Sequence, residues 1–296
     1  MGVVNVEIKV NTKIKTKKNL FNYFANKLPK LGVYIFLILV SIIMLLPFLW
    51  MFFSSFKPLS EIFTYPPQII GKSFSFNNYI TLIKQYKFAQ VFFNSSYIAV
   101  LSTAGAVFFC SLGGYAFAKF EFKGKSILFG ILLASMMIPA ETTMVPLYIV
   151  FKNLGWINQH IGLIVPGLAN AFGIFFMRQY MSGLSTEIIE SGRIDGCGEF
   201  GIFIKLILPI VKPAVGSLGI IFFMNSWNNF LWPLIILKSQ SKLTLAVLLQ
   251  SLQQGMRTPY DLVMAGAVMS VIPLIIIFLL FQNQFIAGMT AGAVKE

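Results

Sequence analysis

Glu190-Ser-Gly-Arg-Ile-Asp-Gly196, followed by Leu206-Ile-Leu-Pro209, forms a polar island between two long apolar runs of the sequence. The island is too polar to cross a bilayer, whereas the runs on both sides are nearly charge-free and long enough to do so. A chain with this pattern presents the island at a membrane surface, where a soluble partner can contact it.

Composition places the chain among integral membrane proteins. Of its 296 residues, 57% are hydrophobic and 11% are charged, whereas a soluble domain has about 25% charged residues. The net charge of +13 raises the question of nucleic-acid binding, but seven lysines precede the first apolar run. Such a cluster is typical of a cytoplasmic flank beside anionic lipid. We therefore expect contact with membrane lipids and no nucleic acid.

The charge-free intervals predict an all-α polytopic fold with six transmembrane helices, because a spanning helix needs about 20 mostly apolar residues. We expect the spans at 31–53, within 88–118, at 126–150, at 161–177, within 213–237 and within 262–287. Six spans place both termini on one side of the membrane. With that side cytoplasmic, the inner segments hold 15 Lys and Arg and the outer segments hold 8, which is the expected bias.

This topology divides the chain into three parts. Residues 1–30 form a cytoplasmic Lys-rich segment, 31–287 form the six-span domain with a surface loop at about 184–209, and 288–296 form a cytoplasmic tail. The loop pattern predicts two short helices joined by a glycine turn, since its apolar residues recur at helical spacing.

Two polar groups interrupt the apolar spans. Glu141 lies between two prolines in the third span, and the fifth span contains three amides, Asn225, Asn228 and Asn229. Broken backbone and polar side chains at membrane depth are tolerated when they pack inside protein or line a watery cavity. For the amides, interhelical hydrogen bonds and a transport pathway both remain open. The position of Glu141 near the outer end favours a structural or gating role.

The sequence lacks patterns for catalysis or nucleotide binding. Gly71-Lys-Ser73 and Gly124-Lys-Ser126 both lack the glycine that a phosphate-binding loop needs, four residues before the Gly-Lys pair. One His and two Cys disfavour a zinc site. We expect a protein that is not an enzyme and has no cofactor or metal of its own.

The polar island resembles the cytoplasmic loop signature of ABC importer permeases, which is Glu-Ala-Ala, three residues, Gly, nine residues and Ile-x-Leu-Pro. The residues that match are Glu190, Gly196, Leu208 and Pro209, and Asp195 lies among the three intervening residues. The residues that depart from it are Ser191 and Gly192, in place of the alanines, and Leu206, in place of Ile. A serine and a glycine in place of two alanines are expected to loosen the first short helix.

The resemblance extends over residues 30–296 and is to carbohydrate-type permeases. Pro47-Phe-Leu-Trp50 and Trp227-Asn228 are similar to segments of that family, and the tail 285–295 is similar to that of a maltose-transporter permease. The resemblance implies a subunit that imports a sugar, an oligosaccharide or glycerol-3-phosphate across a bacterial cytoplasmic membrane.

The family also implies partners. These are a second permease in a heterodimer, two ATPase subunits that bind ATP-Mg and hydrolyse ATP, and an extracytoplasmic solute-binding protein. By match, Glu190 contacts basic groups of the ATPase, Gly196 forms the turn and Pro209 ends the segment. The tail residues that reach the ATPase pair by the same match are Gly288, Thr290, Gly292 and Lys295.

Three other interpretations stand beside this one. A secondary transporter acting alone needs intramembrane acids or bases, and only Glu141 comes close. A membrane scaffold does not need the polar island at this spacing. The third interpretation concerns Glu190 alone, which would then be a solvated surface acid without a partner protein.

Overall fold

The structure, a computed structural model, describes residues 32–255 and 257–290, and side chains up to residue 284. These residues form helices and connecting turns, with no strand among them. The Lys-rich segment 1–30 and the tail residues Gly292 and Lys295 lie outside the described residues.

Fifteen α-helices follow one another along the described chain. In order they are α1 (Gly32–Ser54), α2 (Leu59–Ile62), α3 (Asn77–Gln85), α4 (Phe88–Lys119), α5 (Lys125–Ser135), α6 (Ala140–Asn153), α7 (Ile161–Ile164), α8 (Ala171–Ser182), α9 (Glu187–Ile194), α10 (Glu199–Ile202), α11 (Leu208–Ile210), α12 (Lys212–Trp227), α13 (Leu231–Ile236), α14 (Leu245–Gln253) and α15 (Tyr260–Thr290). Short 3-10 turns occupy Val165–Gly167 and Gln240–Lys242, and a π-helical turn occupies Phe203–Ile207.

The membrane-spanning candidates agree with the predicted spans. Four helical segments are long and apolar enough to cross a bilayer, namely Gly32–Ser54, Phe88–Lys119, Ile161–Ser182 and Tyr260–Gln284. Two bent pairs bring the described number to as many as six if each pair is one span. The prediction of an all-α polytopic fold is confirmed.

The third predicted span is broken. α5 and α6 meet at 102°, and with 11 and 14 residues each is shorter than the ~30 Å hydrocarbon core at about 1.5 Å per residue. Pro139 immediately precedes α6. At this position the absence of a backbone N–H removes no hydrogen bond from the helix. Pro146 lies inside α6 without ending it, so only the first proline coincides with the break.

The fifth predicted span is also interrupted. Just before it, residues Glu199–Ile210 and Lys212–Trp227 meet at 83°, and this bend falls at Val211, outside the predicted span, rather than at Pro209, which lies in the first turn of α11. α12 then ends at Trp227, and α13 begins only at Leu231. The three amides therefore lie at the end of a helix and not at the centre of a continuous one.

α4 is the central helix of the bundle and packs along α8 and α12, while α12 also packs along α15. Glycines allow the close approach. A Cβ atom on Gly114 would lie 2.5 Å from the Cβ atom of Met177, and one on Gly173 would lie 2.7 Å from Sγ of Cys110. Small residues at helix contacts are the usual means of close packing in membrane bundles.

The segment after α1 is organised around a buried lysine. Lys57 is 1% exposed, its Nζ donates to the carbonyl O of Gln68 at 2.5 Å, and it lies 4.7 Å from the ring centre of Trp50. Asn78 Nδ2 donates to the carbonyls of Ser55 and Lys57, both at 2.8 Å. The bonds of Asn78 fix the start of α3 against the turn that follows α1.

Candidate functional site

The polar island folds as the sequence predicts, into two short helices joined by a glycine turn. α9 begins at Glu187 and α10 begins at Glu199. Gly196 between them has φ +78°, a conformation that glycine adopts at little steric cost. Its N–H donates to the carbonyl O of Arg193 at 3.0 Å and closes the end of α9.

An ion pair clamps the turn. Arg193 Nε donates to Oε1 of Glu199 at 2.6 Å, and this hydrogen bond raises the pKa of Arg193. The N–H of Cys197 donates to the carbonyl O of Gly192 at 2.9 Å. The pair is exposed to solvent, which weakens such pairs, so it sets the relative orientation of α9 and α10 more than it stabilises the fold.

The inner side of this loop is part of the bundle core. Four of its side chains are at most 2% exposed: Ile189, Ile202, Phe203 and Ile207. They pack in one cluster with residues of α4 and α8, among them Tyr115, Met177 and Met181. Since protein interiors are close-packed, a displacement of the loop moves the helices against which it packs.

Gly192 serves this packing. It is buried, and a Cβ atom there would lie 2.9 Å from Cδ1 of Leu206 and 3.0 Å from Cγ1 of Ile202. α9 runs unbroken through Ser191 and Gly192, so the expected loosening does not appear in the bounds of the helix. The glycine instead lets α9 approach the π-helical turn closely.

The outer side of the loop is polar with apolar side chains between the acids. Glu190, Ser191 and Asp195 are exposed, and Ile194 and Phe200 are 86% and 60% exposed. Large apolar side chains exposed among acids are typical of a protein interface. Of the remaining predicted residues, Leu206 and Leu208 are half-buried and Pro209 is exposed.

The second polar region is a cavity of about 660 Å³ on which Glu141, Asn225, Asn228 and Asn229 converge. Thr143, Phe230 and Trp232 also line it. A neighbouring cavity of about 440 Å³ shares two of the asparagines and adds Asn170 and Ser226. Residues more than eighty positions apart in the sequence are thus brought together, which the sequence alone did not predict.

Helix ends position these side chains. Glu141 lies in the first turn of α6, while Asn228 and Asn229 occupy the gap between α12 and α13. Two indoles anchor the gap: Trp227 Nε1 donates to the carbonyl O of Ser270 at 3.1 Å, and Trp232 Nε1 donates to that of Gly162 at 3.0 Å. The break in α12 is therefore held in place by α15 and α7.

The four predicted side chains of the cavity are unpaired. Glu141 and the three asparagines are exposed, and within the described ranges their side chains make no hydrogen bond or ion pair with protein. Interhelical hydrogen bonding by the asparagines, one of the two interpretations, has no support among the residues that the structure describes. The described lining of both cavities contains no Lys, Arg or His.

Two further residues of the cavity region were not predicted. Thr143 follows Glu141 on α6, and Asn170 caps α8, its Oδ1 accepting from the N–H of Gly173 at 3.1 Å. The capping pattern was visible as Asn170 three residues before Gly173, but its place beside the cavity depends on tertiary packing. Among the described residues no group of His, Cys, Asp and Glu could hold a metal ion, and Cys110 and Cys197 are free thiols.

Comparison with known proteins identifies relatives that match most of the chain. The family described as binding-protein-dependent transport system inner membrane component matches residues 110–290. The arabinooligosaccharides transport system permease protein AraQ of Bacillus subtilis (strain 168) is 39% identical, over 90% of this chain and 98% of that protein. The lactose transport system permease protein LacG of Rhizobium radiobacter is 32% identical, over 91% of this chain and 97% of that protein.

A solved structure shares the fold. A chain of the crystal structure of a bacterial ABC transporter involved in the import of the acidic polysaccharide alginate superposes with a TM-score of 0.78 at 22% identity. The match covers 88% of this chain and 98% of that chain. At this identity the likeness concerns the helical architecture alone.

Proposed function

The chain belongs to the family of binding-protein-dependent transport system inner membrane components, and we propose that it forms half of the translocation pathway for a saccharide, driven by separate ATPase subunits. It is a non-enzymatic permease subunit of the sugar ABC importer type. Its relatives are named for arabinooligosaccharides and lactose, and we assign an oligosaccharide to this chain by analogy.

The loop Glu190–Pro209 is the surface on which an ATPase acts. The observation that carries this assignment is its two-sided construction, with acids and exposed Ile194 and Phe200 outside and a fully buried apolar face inside. A partner that presents basic groups around a shallow apolar cleft fits the outer side. The sequence contains no phosphate-binding loop pattern, and in this proposal ATP-Mg is bound by the ATPase subunits.

Closure of the ATPase pair then moves the bundle. A rigid loop seated in a partner converts the partner's motion into rotation of α4, α8 and α12, because their side chains share its core. ATP binding shifts the conformational equilibrium only if the loop contacts the ATPase differently in the two states. Gly288 and Thr290, near the end of α15, and Gly292 and Lys295 beyond it form a second contact with the ATPase pair.

Other partners follow from the exposed surfaces. No residue in the most apolar 18-residue stretch of α1 is buried within the described chain, which suits contact with lipid or with a second permease in a heterodimer. The loop at Glu190–Pro209 and both termini lie on the cytoplasmic side in the predicted topology. The solute-binding protein docks on the opposite side and delivers the saccharide.

Reconstitution with and without partners tests this proposal. We expect the purified complex with a second permease, an ATPase and a binding protein to take up arabinobiose into liposomes only with ATP, and this chain alone to take up none. ATP-independent uptake by the chain alone, driven by a proton or sodium gradient, would favour a secondary transporter. Glu141 in the cavity is the observation that makes this second function worth testing.

A further inference from the structure

The two adjoining cavities carry charge of one sign. Glu141 is the only ionisable side chain in their described lining, and amides, hydroxyls and aromatic rings make up the rest of the polar and π surface. We propose that this cavity is a saccharide subsite of the pathway and that Glu141 makes it selective for uncharged saccharides over anionic ones. The assignment rests on the proposed function in taking the cavity as part of the passage.

The side chains suit a neutral polyhydroxyl ligand. An amide offers a carbonyl acceptor and two N–H donors, and a carboxylate accepts from hydroxyl groups. Asn225, Asn228 and Asn229 are exposed and make no hydrogen bond with the described protein, so all of their donors and acceptors are available. A site lined by apolar surface with a few convergent polar groups is the usual form of a ligand subsite.

Aromatic rings supply the apolar part of the surface. Phe230 and Trp232 line the larger cavity, and the indole of Trp232 is held by its bond to the carbonyl O of Gly162. A pyranose or furanose ring has an apolar face that packs on such rings. A volume of about 660 Å³ lies within the usual range of ligand sites, about 300–1,000 Å³.

The carboxylate of Glu141 disfavours ligands that carry a negative charge. Two like unit charges about 8 Å apart in a partly hydrated site lower the local concentration of the anion by roughly fivefold. The described lining has no cation to offset Glu141. An acidic saccharide or a sugar phosphate is therefore disfavoured in this cavity.

A charged-reagent experiment tests the electrostatic part. A thiol reporter is introduced as Asn228→Cys, with Cys110→Ser and Cys197→Ser, in the complete transporter in liposomes. Its rate of modification is measured with a cationic trimethylammonium and an anionic sulfonate methanethiosulfonate. We expect Glu141→Gln to lower the cation-to-anion rate ratio by at least about fivefold, and Glu121→Gln, which removes an equal charge from the exposed α4–α5 turn, to leave the ratio unchanged.

Two results overturn the proposal. One is an unchanged ratio in Glu141→Gln, and the other is no labelling of the reporter in either the nucleotide-free or the vanadate-trapped state. Where Asn228→Cys fails to assemble, Thr143→Cys, which lines the same cavity, serves as the reporter. In the nucleotide-free state the measurement needs neither uptake nor ATP hydrolysis, so it can succeed or fail independently of the proposed function.

A protection experiment tests the ligand. An uncharged methanethiosulfonate modifies the reporter in the presence of arabinobiose or of digalacturonate at equal concentration. We expect arabinobiose to slow the modification more than digalacturonate, and the difference to shrink in Glu141→Gln. Equal protection by the two saccharides, stronger protection by digalacturonate, or protection by neither contradicts the assignment.

Discussion

The loop around Glu190 and the cavity around Glu141 both interrupt an apolar chain with polar residues, yet they are built in opposite ways. In the loop the turn is clamped by the Arg193–Glu199 ion pair and the apolar side is buried. In the cavity Glu141 and three asparagines have no partner within the described protein. A rigid, anchored polar surface is suited to receive force, whereas an unpaired polar lining is suited to contact water and a passing ligand.

Substitutions in the loop and in the cavity should therefore impair the transporter in different ways. A change at the loop should uncouple ATP hydrolysis from transport, while a change at the cavity should impair transport with the coupling intact. If the two regions are functionally separate, each variant should change only one of these two properties.

Glu190→Lys is expected to have the largest effect. Reversing this exposed charge places a cation against the basic groups proposed for the ATPase, and we expect ATP-driven uptake to fall about tenfold or more. Uptake, ATPase activity and the amount of subunit in the membrane are measured together. Glu187→Lys makes the same charge change on the same helix and should cost less. Normal uptake by Glu190→Lys would remove Glu190 from the mechanism, and equal losses in both variants would show that the effect is not specific to that position.

Asn228→Leu tests the cavity side. It removes an amide that has no protein partner, so we expect uptake to fall by about three- to tenfold, the loss of one or two hydrogen bonds to a ligand. ATPase stimulation by the binding protein should persist. Asn153→Leu, at the far end of α6, is the matched control. If stimulation is lost with uptake, the cavity and the loop are not functionally separate.

Gly192→Ala tests how closely α9 is seated. The added methyl group meets the flexible tips of Leu206 and Ile202, and we expect a loss of about 1 kcal/mol from the free energy of unfolding. Gly198→Ala is the control, because no atom lies within 4 Å of a Cβ atom there and its backbone is ordinary. Thermal unfolding of the detergent-solubilised complex measures both. Greater stability of Gly192→Ala would show that helix propensity outweighs packing at this position.

Arg193→Gln should have the smallest effect. The ion pair with Glu199 is exposed on both sides, so its removal is expected to leave the unfolding temperature nearly unchanged. Arg257→Gln, at an exposed position before α15, removes the same charge elsewhere. Uptake reduced in Arg193→Gln but not in Arg257→Gln, at equal unfolding temperature, would indicate that the orientation of the turn matters for coupling.

Much of the fold could be predicted from the sequence because it depends on local pattern. Charge-free length predicts the spans, and Gly196 predicts the turn since few other residues adopt its positive φ. Pro139 and Pro146 predict a disturbance in the third span. They do not predict its 102° angle, or that Pro146 is accommodated within α6, because these depend on what the helix packs against.

The role of Gly192 could not be predicted from its sequence neighbours. Helix propensity predicts a looser α9, since glycine is a poor helix former. The structure has an unbroken helix in which the glycine makes room for Leu206 and Ile202. The contact partners lie ten or more positions away in the sequence, so no local scale could include them.

The sequence by itself determined that this protein is an all-α polytopic permease subunit with a polar loop between apolar runs, because hydrophobic length and the spacing from Glu190 to Pro209 are properties of the chain alone. Only the tertiary structure decided which polar residues act together. Glu141 shares a cavity with Asn225, Asn228 and Asn229 because the start of α6 and the broken end of α12 line the same space, and Glu190 faces outward because Ile189 and Ile202 face inward. The physical reason is that a membrane helix fixes its own backbone bonds locally, whereas the direction of each side chain is set by the neighbours against which the helix packs.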